Sequence, residues 1–284
     1  MSREKSADAP SFGENRDWLL RFCPQTQVSA LVALFEIERE VLFSLQHGLE
    51  HQVAHLRLEW WQEELARLAD AAPRHPACRA LVASALTRRA TPADLRPLIE
   101  HVRVDLACVA FLNRDELDTH LANWAGSVFR EAILSSPDID NAVQRAAGER
   151  LAASAGPAVR ELELLANFTL HAQAGRIYTP LGEAPDAHRR WNVSPLGADE
   201  AAVLAARQST LFDELREAAA SVLPAVRPAL RTALLWMAFA IDNAQHSRNP
   251  RSALGRTLYA WRAALAISRG SLPFTLKPTD KTAN

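Results

Sequence analysis

Between Pro157 and Ala174 the chain reads AVRELELLANFTLHAQ, with no glycine or proline to interrupt it. A stretch of that length, free of breakers and rich in Leu and Ala, is expected to be helical. Pro157 suits a first helical turn, where its missing N–H costs nothing, so the helix is expected to open there and to stop before Gly175. At about 100° per residue, Glu163, Asn167 and His171 stand at i, i+4 and i+8 and share one face.

The rest of the chain agrees with a helical class. Its 284 residues, 48% hydrophobic with only 10 glycines, suffice for one large buried core. Alternating β-branched runs are few, which favours an all-α single domain. Pro73 to Pro76 punctuates two helices; Thr91-Pro92-Ala93-Asp94 reads as an N-cap with proline at the first helical position, and Ser136-Pro137-Asp138 reads similarly. An irregular loop is expected from Gly182 to Gly197, where Asp186, His188, Arg189, Arg190 and Trp191 form no nucleophilic arrangement. Helices near 198–222, 224–245 and 251–268 follow. The expected organisation is a flexible segment at 1–16, a helical domain at 17–270 and a loose tail at 271–284. Thr232 to Ile241 is too short to span a bilayer, which takes roughly 20 residues, and reads as a buried helix.

A net charge of −1 supplies no global basic field, so nucleic-acid binding is not expected. Cys23, Cys78 and Cys108 lack metal-ligand spacing and are odd in number, so they are expected reduced and mostly buried. The polar N-terminus has no apolar core of a signal peptide, which places the expected location in the cytoplasm, with at most peripheral contact at the inner membrane face. His47, His51 and His55, continued by Glu59, make an i, i+4, i+8 row that could ligate a transition metal, but with no fixed further ligand it reads as an exposed polar stripe. Glu36 and Glu40 read as a solvated face bracing Arg39. Trp60 is expected in the core and Trp61 at the rim of helix packing.

Several motifs in fixed order resemble the squalene/phytoene synthase family. Arg21-Phe22-Cys23-Pro24 is similar to its F-L-P, and Ala33 to Arg39 to A-L-Y-A-F-C-R. Arg57 to Leu65 is similar to R-L-x-W-W-x-x-E-L. Pro97-Leu98-Ile99 through Asp105 resembles L-I-x-G-x-x-x-D, and Asp115 through Gly126 resembles E-E-L-x-x-Y-x-x-x-V-A-G. Gly156 through Pro180 resembles G-x-A-x-Q-x-x-N-x-x-x-D-x-x-x-D followed by G-R-x-Y-x-P. The resemblance implies an isoprenoid-synthase-type helical bundle around a central cavity, and an activity in which prenyl diphosphates are condensed head to head on Mg²⁺ ions held by two acidic motifs. The positions it implies for the cavity wall are Phe35, Arg39, Leu42, Gln46, Glu163, Asn167, His171, Arg176 and Tyr178. For Arg176 and Tyr178 two readings stay open: they meet a phosphate or headgroup at the cavity mouth, or they anchor the loop after the long helix.

The acidic residues themselves are missing. Leu42 and Gln46 stand in the first motif, and Asn167 and His171 take the two aspartates of the second; Mg²⁺ prefers hard anionic oxygens, which none of the four offers. The expectation is therefore a non-catalytic member with no catalytic residue, resident metal or cofactor. Its retained cavity would bind an isoprenoid or other lipid, or its fold would serve a protein partner in assembly, as in the mitochondrial complex I assembly factors of the superfamily. The alternative is an active prenyltransferase, with Mg²⁺ held at a reorganised site around Glu163, Asp105 or Glu40.

Overall fold

The run Thr232 to Ile241 lies at the centre of the molecule. In a computed structural model of the chain, describing residues 12–46, 48–87, 91, 93–183, 198–246 and 251–274, every residue from Thr232 to Asp242 is buried. A helix apolar on all sides must be surrounded by other helices to be stable in water. This one, α11 (Arg231–Gln245), packs against α1 (Phe12–Phe22), α7 (Arg130–Leu134), α8 (Ala142–Ala166), α10 (Ala198–Ser221) and α12 (Ala253–Ser268). The other layer is built from α2 (Val28–Leu42), α3 (His51–Ala69), α4 (Pro76–Thr87), α5 (Arg96–Leu106) and α6 (Arg114–Trp124). A short α9 (Phe168–Gln173) follows α8. Among the described residues there is no strand, and the fold is all-α.

Several boundaries differ from the sequence expectation. Residues 12–16 belong to α1, and Arg16 is buried. At the other end, Leu272 and Phe274 pack on the main core. Pro157 lies in the middle of α8, which starts fifteen residues earlier, at Ala142, with the Asn141 side chain capping the Gln144 N–H at 2.9 Å. That asparagine, not Ser136-Pro137, is the start signal. Likewise α5 begins at Arg96 with Pro97 in its first turn, after Asp94 accepts from the Arg96 N–H at 3.1 Å. The helix expected from 224 starts only at Arg231, because Pro224 and Pro228 sit in a run of turns. The Gly182–Gly197 loop lies outside the described residues beyond Glu183.

The two tryptophans of α3 exchange their expected places. Trp61 is 3% exposed and Trp60 44%. The buried row of α3 is Ala54, Leu58, Trp61, Leu65 and Leu68, which follows the helical period, and Trp60 falls about 100° off it. Of the cysteines, all free, Cys78 is buried, Cys23 half-buried and Cys108 exposed.

Between α6 and α7 the backbone widens into a π-helical turn, Ala125–Phe129. It lies against α8 where Gly156 stands: a Cβ on Gly156 would come within 2.6 Å of the Ala125 Cβ. The glycine thus sets the distance between the π turn and α8, and so the position of Trp124 against Arg160 and Glu163.

Candidate functional site: a buried ionic seam

Of the helices that carry carboxylates into the core, α2 and α8 bring theirs to one cation. In α2 the buried row Leu31, Leu34, Glu38 and Val41 has the period of an apolar face, with Glu38 in it. In α8 both Glu161 and Glu163 are buried, and Glu163 is the one that meets Arg16. The guanidinium of Arg16, from α1, lies between Glu38 and Glu163: Nε and Nη2 donate to the two oxygens of Glu38 at 2.9 and 2.8 Å, while Nη1 and Nη2 donate to Glu163 at 3.1 and 3.3 Å. Two indoles complete the carboxylate shells, Trp124 Nε1 to Glu38 at 2.8 Å and Trp236 Nε1 to Glu163 at 2.9 Å. The Arg16 guanidinium also lies 5.0 Å from the Trp236 ring and 6.0 Å from that of Phe35, which meets Trp236 edge-on at 5.5 Å.

Burial by itself disfavours every charge here. For Arg16 that cost is outweighed by Glu163 and Glu38, which raise the guanidinium above its ordinary value. For Glu38 burial is likewise outweighed, chiefly by Arg16, and its carboxyl is held below its ordinary value. Arg16 and Glu38 therefore remain ionised in the core.

The seam continues through Arg160. Its guanidinium stacks over Trp124 at 5.2 Å, with Nη1 3.9 Å from Glu163 Oε2 and Nη2 3.1 Å from His101 Nε2. An arginine can only donate, so Nε2 of His101 accepts and Nδ1–H is left to donate to the His120 carbonyl at 3.1 Å. Burial, followed by the neighbouring His120, pushes the His101 imidazolium well below its usual pKa, so the ring is neutral. His101 and His120 stack 4.1 Å apart with Asp105 at their edges, its oxygens 3.6 Å from His101 Nε2 and 3.1 Å from His120 Nε2. Burial works against the Asp105 charge, but the surrounding imidazoles and Arg160 hold its carboxyl far below the usual range. Tyr178 closes this end, buried between Phe111, His120 and His171. Its phenol is pushed well above its usual pKa, first by burial and then by Asp105.

The structure separates most of the residues expected to line one cavity. Phe35 and Glu163 join the seam. Arg39 does not: its side chain is 67% exposed and bound to Glu36 at 2.5 Å and Glu40 at 3.2 Å, the solvated brace expected of those glutamates. Leu42 is half-buried against the core and Gln46 is exposed beyond the end of α2. Asn167 ends α8 with φ −115° and ψ 25°, and its amide donates to the Glu163 carbonyl at 2.9 Å. Asparagine competes with the backbone for such bonds, which breaks the helix and the i, i+4, i+8 face with it. His171 consequently lies in α9, buried with its ring edge-on to Tyr178 at 5.3 Å. Gly175 (φ +79°) and Arg176 close α9: their N–H groups bond the carbonyls of Ala172 and His171, both at 2.9 Å, a Schellman arrangement. These bonds are made by the backbone and leave both readings of the Arg176 side chain open, while Tyr178 sits inside the seam. In the histidine row, His51 and His55 bring their Nε2 atoms to 2.9 Å on an exposed face, and His47 lies outside the described residues.

His171 gives a pH prediction. Burial, then Arg160 and Arg176, lower its pKa to about 3. A histidine held neutral when folded binds its proton only in the unfolded chain over the range between, so stability falls as pH drops below about 6.5. The slope from this one group is about 1.4 kcal/mol per pH unit. Urea unfolding at pH 7, 6 and 5 is expected to show it, and His171→Asn to remove it; equal slopes in the two proteins would contradict this.

Over residues 10–243 the sequence matches squalene/phytoene synthase. The chain belongs to the squalene/phytoene synthase family. No curated protein matches it significantly. Family membership makes the motif positions comparable. The metals this family implies do not fit them here: Leu42 offers only carbon, Gln46 and Asn167 neutral amides, and His171 a neutral imidazole. Glu163, one turn before Asn167 in α8, is already bound by Arg16 and Trp236. His101 and His120 stand where the family motifs L-I-x-G-x-x-x-D and E-E-L-x-x-Y have glycine and tyrosine. Arg160 stands where the second acidic motif begins with glutamine. A groove of about 540 Å³ does exist, but on the far side of α8, where Arg114 and Arg207 are paired with Glu161, Glu183 and Glu214.

Proposed function

We propose that this protein is a non-catalytic member of the squalene/phytoene synthase family, in which the helical bundle is kept for lipid contact or assembly and not for ionising a prenyl diphosphate. The observation that carries this reading is the Arg16 guanidinium, fixed between Glu38 and Glu163 one helical turn before the positions of the lost aspartates. Departure of diphosphate needs mobile, hard dications that follow the developing negative charge. Arg16 is instead consumed by two internal carboxylates and has no orientation toward a substrate. The reorganised Mg²⁺ site of the alternative reading finds no support, because Glu163, Glu40 and Asp105 are each already engaged by Arg16, by Arg39 and Arg57, and by His120.

Lipid contact has a candidate surface on α12. Leu254, Leu258 and Trp261, at i, i+4 and i+7, are 70%, 52% and 56% exposed. Arg262 and Arg269 flank that row, and no acidic residue occurs between Asp242 and Asp280. An apolar stripe with a tryptophan, bordered by arginines, suits the surface of an anionic bilayer. No helix among the described residues is long and apolar enough to cross one.

Incubation with farnesyl or geranylgeranyl diphosphate, Mg²⁺ or Mn²⁺ and NADPH is expected to yield no lipid product above a heat-killed control by mass spectrometry. Product would overturn the non-catalytic reading. Sedimentation with phosphatidylglycerol vesicles is expected to carry the protein down, and Leu258→Ser/Trp261→Ser to leave it in the supernatant. Equal sedimentation of the two would remove α12 from the account.

A further inference from the structure

The bundle leaves an apolar row exposed on a second helix besides α12. On α3, Val53, Leu56 and Trp60, at i, i+3 and i+7, are 40%, 58% and 44% exposed. This row and that of α12 each cover a seven-residue step ending in tryptophan, about 10 Å along a helix. The two lie in different layers, since α3 packs on α2, α4 and α5, and α12 on α1 and α11.

Their charged borders are opposite in sign. Glu59 and Glu63, both exposed, border the α3 row. Glu63 is 3.5 Å from Arg67, whose closer partner is Glu64 at 3.0 Å. Arg57, on the other side of that row, is faced by Glu40 at 3.5 Å. The α12 row is bordered by Arg262 and Arg269 and has no carboxylate of its own.

We propose that the α3 row of one molecule packs on the α12 row of a second copy, so that this protein associates head to tail. Apolar residues alternately three and four apart are the pattern of a coiled-coil seam. Val53, Leu56 and Trp60 take positions a, d and a of that pattern, and Leu254, Leu258 and Trp261 take d, a and d. Glu59 then stands at g, and Arg262 and Arg269 both stand at e. Parallel helices bring g of one beside e of the other, so the charges fix the orientation as well as the partner. A shift of one heptad merely exchanges Arg262 for Arg269 opposite Glu59. Pairing like with like is disfavoured, because an α12–α12 contact gathers only arginines and an α3–α3 contact four glutamates. As the two surfaces differ, every copy added leaves one row of each kind open, and association does not stop at a dimer.

Sedimentation velocity of lipid-free protein is expected to give an average mass that climbs past the dimer as concentration rises. Leu56→Ser/Trp60→Ser and Leu258→Ser/Trp261→Ser are each expected to be monomeric. An equal mixture of the two is expected to form a dimer of one copy each and nothing larger, since each variant supplies one intact row. Glu59→Arg/Glu63→Arg is expected to lower the association constant about tenfold, and Arg262→Glu/Arg269→Glu added to the same chain to restore it. These four side chains are exposed, so the charge exchange still gives a test if the apolar variants do not fold. Wild-type protein that stays monomeric at every soluble concentration overturns the proposal. So does a dimer that persists in either apolar variant, which means an isologous contact, or a mixture of the two that stays monomeric. The bilayer proposed above uses α12 but not α3, so Leu56→Ser/Trp60→Ser is expected to sediment with phosphatidylglycerol vesicles as wild type does. Self-association and lipid contact are therefore read separately.

Discussion

Arg16→Ala is expected to lower the free energy of unfolding by about 3–5 kcal/mol, the cost of removing one partner from a buried ionic cluster. The loss does not equal the worth of the ion pairs. It arises because Glu38 and Glu163 stay behind, both in the core, with two indoles and the more distant Arg160 to oppose their charge. In the native protein the Glu38 carboxyl is held below its ordinary pKa, so its stabilisation is present above the unfolded value and lost as pH falls through the folded one. Without Arg16 the sign reverses. Burial then raises the Glu38 carboxyl, and stability is lost as pH rises through the raised value. The deficit relative to wild type is therefore expected to be largest at pH 7 and to shrink toward pH 5, as read by urea unfolding. Arg16→Met/Glu38→Gln/Glu163→Gln keeps an acceptor for each indole without a net charge, and is expected to recover most of the loss. A single variant within 1 kcal/mol of wild type at pH 7 would mean that the cluster is not a closed ionic unit.

The seam explains how the family fold holds together after losing its metal ligands. Two facing acidic motifs need dications between them; here the facing carboxylates lie one turn deeper and share a guanidinium carried by the chain itself. Such a cation needs no ligand concentration and cannot dissociate. On the non-catalytic reading proposed above, the same guanidinium removes the mobility that catalysis requires, so closure of the core and loss of the reaction would share one physical cause.

The sequence displayed the helices more readily than the seam. Helical period and the absence of breakers are local signals, and they suffice for an all-α bundle and for the buried α11 run. Glu38 carried a readable signal, since it falls in register with Leu31, Leu34 and Val41 on the apolar face of α2. Arg16 carried none, because the polar segment before it resembles a loose terminus and its partners are 22 and 147 residues away. His101 and His120 belong to different helices, and only the packing of α5 on α6 stacks their rings. Pro157 misled for a physical reason: a proline within a helix forgoes one backbone bond, a cost that packing on both sides of α8 outweighs. Asn167 misled in the opposite sense, as its amide bond to Glu163 ends a helix that composition alone would have continued.

Gly156→Ala is expected to destabilise the protein by about 1–3 kcal/mol, although alanine is the better helix former. In an exposed helix interior the same change gains roughly 1 kcal/mol. At Gly156 the new Cβ would lie 2.6 Å from the Ala125 Cβ, 3.1 Å from the Phe129 ring and 3.3 Å from the Ala125 Cα. The nearest atoms belong to the π turn and cannot rotate away, so α8 has to move outward. That movement also draws Glu163 and Arg160 away from Arg16, Trp124 and His101, adding electrostatic loss to steric strain. Ala125→Gly removes the 2.6 Å contact and leaves the other two, so Gly156→Ala/Ala125→Gly is expected to regain part of the loss and to show a favourable coupling. Thermal and urea unfolding of the four proteins in this cycle measures that coupling. Strict additivity would mean that the π turn and α8 are not in steric register, and that Gly156 is there for a reason other than the closeness of the two backbones.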